Sequence, residues 1–236
     1  MEISRYLVIA ILCSSVAWST VNEPMRMEWL TGYRNDHFHW HLKKDDAVIA
    51  RKRLSDLQFW ENALQVRVLH RDLYVQAKGL YAFGKEDLSA SELLGVFGYA
   101  VNLTPDRTYK VVLVPCVGYG ADYEWQSEMR MSWFGPFFGG FFLIQPGGEV
   151  QFETGYVYHR TNLHFSSQQI KVKGGSNLVH SGWARMDYLL SNAWRAGLCA
   201  QVQYFCSRVL DASHDLGKFK MRWTTVSGSF VLARRF

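Results

Sequence analysis

The sequence predicts an all-β chain: a closed antiparallel transmembrane β-barrel of about ten strands, with eight or twelve as the alternatives. Three observations predict it. Apolar and polar residues alternate with a period of two over most of the chain, so that successive side chains fall on opposite faces of extended strands. Aromatic residues are abundant, at 15%, with 9 Trp, 12 Tyr and 15 Phe, yet mean hydropathy is only −0.12. No segment after the N-terminal region approaches the ~20 consecutive apolar residues a spanning helix needs.

Met1–Arg5 carries a positive charge, offset in part by Glu2, Tyr6–Cys13 is apolar, and Ala17 and Ser19 are small residues at the −3 and −1 positions of a cut after Ser19. This is the layout of a secretory signal peptide, predicting a leader over 1–19 and a barrel over 20–236. Three cysteines then remain, Cys116, Cys199 and Cys206. An odd number leaves a thiol unpaired or paired with another chain. The net charge of +5 is scattered, with no basic stripe of the kind nucleic acid requires.

The strands are predicted in order. Residues 27–42 form the first, discussed below, and 56–69 the second. In 72–83, Leu73, Val75, Ala77, Gly79, Tyr81 and Phe83 share one face. Within 91–103, Leu93, Phe97, Tyr99, Val101 and Leu103 do so, and in 107–121 Tyr109, Val111, Leu113, Pro115, Val117 and Tyr119. Strands at 128–144, 148–161 and 178–190 follow. The clearest is 193–208, where Trp194, Ala196, Leu198, Ala200, Val202 and Tyr204 make one apolar face with an aromatic at each end. That suits a bilayer crossing with rings at both interfaces. The last strand, 218–236, ends with Phe230, Leu232 and Phe236 on one face and resembles the C-terminal strand signal that barrel-assembly machinery reads. Arg234 departs from that pattern.

Connections alternate between short turns ("HR", "TPD", "QPG", "SN") and longer polar stretches such as 43–55 and 162–177. Short turns on one side and long loops on the other are the asymmetry of an outer-membrane barrel, and a soluble β-sandwich gives no reason for it. The segment 162–182 is long enough to hold an extra hairpin.

"NDHFHWH", residues 35–41, poses the sharpest question. His37, His39 and His41 share a face with Trp29, Thr31, Tyr33 and Asn35; Phe38, Trp40 and Leu42 share the other with Arg34 and Asp36. Histidines at i and i+2 can share a metal, but no third ligand is evident, so no metal or cofactor is expected. Phe38, Trp40 and Leu42 suit lipid, which would turn the histidines to the lumen or rim, unless a bulge near Arg34 and Asp36 switches the faces.

Inward positions are predicted for Glu61, Arg67, Lys78, Lys110, Glu128, Arg130, Glu153, Arg185, Asp187, Gln201 and Gln203. Both charge signs occur, as a narrow interior with internal pairing requires. A wide porin is thereby disfavoured.

Omptin-type barrels are proteases that hold paired acids and an Asp–His couple at the rim. The analogous candidates are Asp45 and Asp46, then Asp211, His214 and Asp215. Their spacing does not reproduce the omptin pattern, and solvated loop charges are the plainer reading. No other catalytic motif occurs, so a non-enzyme is expected.

"TGYRNDHFHWHL" (31–42) followed by "RLSDLQFWENALQVRV" (53–68) resembles outer-membrane barrel proteins of chlamydia-like bacteria, the Protochlamydia outer membrane protein type. The resemblance covers about the first quarter of the exported chain. It implies an outer-membrane protein with roles in envelope structure, surface display or narrow-pore diffusion. Its implied partners are outer-membrane lipid, the assembly machinery, small solutes and, through a cysteine, another chain. A rim hydrolase and a secreted β-sandwich binding protein are the alternatives.

Overall fold

The computed structural model describes residues 25–45, 47–70, 72–85, 87–104, 107–126, 129–167, 170–207, 210–211 and 217–236. The expected leader, Asp46, Glu128, His214 and Asp215 lie outside them.

Ten long strands run in chain order: β1 Met25–Lys44, β2 Ala47–His70, β3 Leu73–Gly84, β4 Ser89–Tyr99, β5 Lys110–Gln126, β6 Met129–Gly147, β7 Val150–Ser167, β8 Lys171–Leu189, β9 Trp194–Cys206 and β10 Lys218–Arg235. Two-residue segments, Val101–Asn102 and Leu210–Asp211, pair with β5 and β10. Each strand pairs antiparallel with the next, and β1 pairs with β10 from Arg26↔Arg235 to Lys43↔Lys218. The sheet therefore closes into a barrel, as hydrocarbon demands of backbone polar groups, while β2 above Phe59 pairs with β1 alone.

Length divides the strands. β3 and β4 have 12 and 11 residues, little more than the ~9–11 a tilted strand needs to cross a bilayer. β2 has 24 and β1 has 20, so the wall on that side continues well beyond a hydrocarbon band. The expected long loops are therefore a correction: 47–55 and 162–167 are strand, and 162–182 holds only the tip of the β7–β8 hairpin. Polar sequence goes on pairing above the band because strand backbone is as content in water as in lipid.

Two further corrections concern β1. It keeps one phase throughout, and the extra residue lies in β2, where the register slips between Asp36↔Leu57 and Phe38↔Leu54 beside Asp56 at φ 63°. Phe38, Trp40 and Leu42 point inward and are buried, while His37 and His39 are exposed. The reason lies lower on the strand. Arg34 and Asp36 share that phase, and within the band a charged pair must face the lumen.

Gly32 makes the seam tight. A Cβ there would sit 2.2 Å from the Gly228 carbonyl oxygen of β10.

Candidate functional site

The barrel interior is the candidate site, and it has three storeys. Nearest the end that carries Met25 and Phe236, Glu28 is fully buried and gathers cations from three strands, with Arg26 of β1 at 3.6 Å. Arg185 Nη1 approaches its Oε2 at 2.5 Å and Arg67 Nε at 3.4 Å, while Gln65 Nε2 donates to it at 2.9 Å. Arg67 also pairs with Glu153, which accepts a bond from Trp183 Nε1 at 2.7 Å. Arg185 holds Asp187 through Nη2 at 2.7 Å. These groups come from β1, β2, β7 and β8, so the network ties opposite walls together. Each carboxylate of this network has a cation, the condition under which burying it is tolerable.

The middle storey is acid-rich. Arg34 forks onto Asp36, with Nε to Oδ1 at 3.0 Å and Nη2 to Oδ2 at 2.7 Å, and also pairs with Glu124. Its guanidinium lies between Phe59 and Trp223, 5.3 and 5.4 Å from their ring centroids. Lys78 meets Glu92 at 3.3 Å, and Asp122 is buried close by. A cavity of about 100 Å³ opens between these storeys, lined among others by Arg67, Lys78, Glu92, His159, Gln201 and Gln203.

The top storey is apolar. Fifteen buried side chains form one cluster, including Phe38, Trp40, Leu42, Met129, Met131, Trp133, Phe165, Phe205, Phe219, Met221 and Trp223. Phe165 and Phe219 stack at 5.1 Å between centroids, and Trp40 packs on Phe219 at 5.8 Å. This cluster fills the upper barrel and caps the charged storeys.

The sequence-predicted inward residues divide accordingly. Glu61, Arg67, Lys78, Glu153, Arg185 and Asp187 lie inside, and Gln201 and Gln203 line the cavity. Glu61 accepts a hydrogen bond from Ser229 Oγ at 2.7 Å. Lys110 is exposed at the terminal end of β5. Arg130 is a correction: it is exposed and outward, because Met129 and Met131 take the inward phase in the apolar storey. Residues the sequence reading missed are Glu92 of β4, Asp122 and Glu124 of β5, and Glu28, Arg34 and Asp36 of β1. The signal for the last three was a shared phase along β1.

Phe230 and Leu232 lie on the outward phase of β10, and Phe236 just beyond its end is exposed. Arg234 covers the Trp194 and Phe236 rings, 5.5 and 4.9 Å from their centroids. Cys116 and Cys199 line the interior cavity, and Cys206 takes the outward phase of β9. His39 and His41 have ring centroids 5.8 Å apart, and no group of three or more metal-binding side chains occurs among the described residues. Asp45 forms the β1–β2 turn at φ 50°. Asp211 pairs in register with Lys218, itself opposite Lys43, so the two acid-bearing hairpins adjoin at the rim.

The outer membrane protease OmpT of Escherichia coli superposes with a TM-score of 0.60 at 7% identity, over 92% of this chain and 99% of that one. The fold is that of outer-membrane β-barrels. The translocator domain of the autotransporter NalP from Neisseria meningitidis covers 99% of this chain and 96% of its own at 10% identity, but with a TM-score of 0.37. OprG of Pseudomonas aeruginosa gives 12% identity, 91% and 97% coverage, and 0.37. No family model matches the chain, and no curated protein does. At such identities the shared fold carries no activity with it.

Proposed function

We propose that the chain is a bacterial outer-membrane β-barrel with a sealed lumen, serving envelope structure and surface display. The observation that carries this reading is the apolar cluster closing one end of the barrel above paired charges. Water and small solutes have no polar path through fifteen packed apolar side chains. In this reading the termini lie on the periplasmic side and the long strands reach outward. Kinship with barrel proteins of chlamydia-like bacteria rests on residues 31–42 and 53–68.

Planar-bilayer recording of the folded protein tests it. The wild type should give no steady conductance. Trp40→Ala with Trp223→Ala, which hollows the cap, should give channel openings. Steady ohmic conductance from the wild type would favour narrow-pore diffusion instead.

A rim hydrolase is the second reading, favoured by the adjoining acid hairpins and a fold shared with a protease. General-base chemistry needs a carboxylate against an imidazole. Asp211→Ala and His214→Ala test it: loss of a peptidase activity in both would establish an enzyme, and an inert wild type would dismiss it.

A further inference from the structure

The outer wall of β10, β1 and β2 changes chemistry along its length. Its lower part presents Trp29, Tyr33, Trp60, Val226 and Phe230, each 44–55% exposed. From Val226 to Phe236 a strand covers ~33 Å, or roughly 25 Å of height at barrel tilt, which is the height of an outer-membrane hydrocarbon band. Asn35 is the register partner of Val226, so the band ends there on β1 as well.

Directly above it the same face becomes cationic. His39 lies between Arg222 of β10 and Arg53 of β2; His41 lies between Lys220 and Arg51; Lys43 faces Lys218. Paired residues in neighbouring strands stand about 5 Å apart, and like charges so placed repel. None of these six lysines and arginines is ion-paired among the described residues. The nearest buried acids, Asp36 and Glu124 at the upper edge of the band, point inward to Arg34. Among the described residues the exposed acids here are Asp56 of β2 and Asp45 of the β1–β2 turn, and Asp211 stands in register opposite Lys218. A divalent cation at the histidines would be repelled by this surround.

We propose that the outer wall of β10–β1–β2 binds the phosphate groups of an outer-leaflet glycolipid. Position decides the occupant. The cationic ladder starts where hydrocarbon ends and is continuous below with an aromatic lipid-facing wall. One amphiphile can lay acyl chains on Trp29, Tyr33 and Phe230 and set its phosphates on Arg53, Lys220 and Arg222. A soluble polyanion would use only the upper part. The proposal rests on the outer-membrane reading above.

The test uses the full chain folded in detergent, with each variant's folding checked by heat-modifiable gel mobility. Binding of bisphosphorylated lipid A and of the same lipid lacking its phosphates is measured by native mass spectrometry. The wild type should prefer the phosphorylated lipid at least about tenfold, and Arg53→Gln/Lys220→Gln/Arg222→Gln should erase that preference. The charge-keeping pair Lys220→Arg/Arg222→Lys should retain most of it. Equal binding of both lipids, or a triple variant that binds like the wild type, would overturn the proposal while leaving the barrel intact. Inositol hexakisphosphate displacing nothing supports a lipid; binding it as tightly as the lipid would overturn the lipid assignment. A wild type without a heat shift would overturn the barrel reading, and this one with it.

Discussion

The lower and upper halves of this barrel obey opposite rules. In the lower half, Val202 and Phe230 face out while Glu28 and Arg185 are buried inside. In the upper half Phe38, Phe165 and Phe219 are buried inside, while His39, Arg130 and Arg222 face out. The backbone is continuous through both, so the difference lies in the solvent. Lipid accepts apolar side chains and drives charges into the lumen; water above the band restores the ordinary inside-out order of a soluble protein.

Four tests sharpen or break this comparison. The largest effect belongs to the cap. Phe165→Ala should cost ~3–5 kcal/mol, because a full ring is lost from a packed interior, whereas Phe138→Ala on the lipid face should cost far less, since acyl chains fill the space. Urea titration of the folded protein in liposomes measures both, and equal costs would break the distinction. Next, Val202→Arg should cost ~2–4 kcal/mol near the midplane, while Cys206→Arg, four residues higher on the same phase, should be almost neutral. Third, Gly32→Ala puts a methyl against the Gly228 carbonyl and should cost ~1–3 kcal/mol by overpacking at the seam, read as slower barrel assembly from urea. The smallest effect is at the interface: Arg234→Ala removes the cation over Trp194 and Phe236, worth ~0.5–1 kcal/mol at an exposed site. A null result in the same titration would show that the arginine only snorkels.

The lower half was legible in the sequence. The alternation in β3, β5 and β9 gives the phase of each strand directly, because one rule, apolar outward, holds from end to end. The upper half was misread by carrying that rule too far. Phe38, Trp40 and Leu42 looked lipid-facing, and Arg130 looked lumenal, because nothing in a local window says where the band stops. The deciding information was present at longer range. Arg34 and Asp36 lie in the same phase as Phe38, and a charged pair that low on the strand has to face inward. The loops were overestimated for the same reason, since polar residues 47–55 still pair as strand when the wall rises out of lipid. The Glu28 network needed the fold itself, since β8 meets β1 and β2 only across the closed lumen.

The central claim is the inversion along β1, and a cysteine scan of that strand tests it most directly. In a Cys116→Ala/Cys199→Ala/Cys206→Ala background, single cysteines at positions 36 to 41 are exposed to a membrane-impermeant maleimide on folded protein in liposomes. The account predicts fast labelling of His37→Cys, His39→Cys and His41→Cys, and protection of Phe38→Cys and Trp40→Cys. The opposite pattern, with the histidine positions protected and the aromatic ones outward, would contradict it.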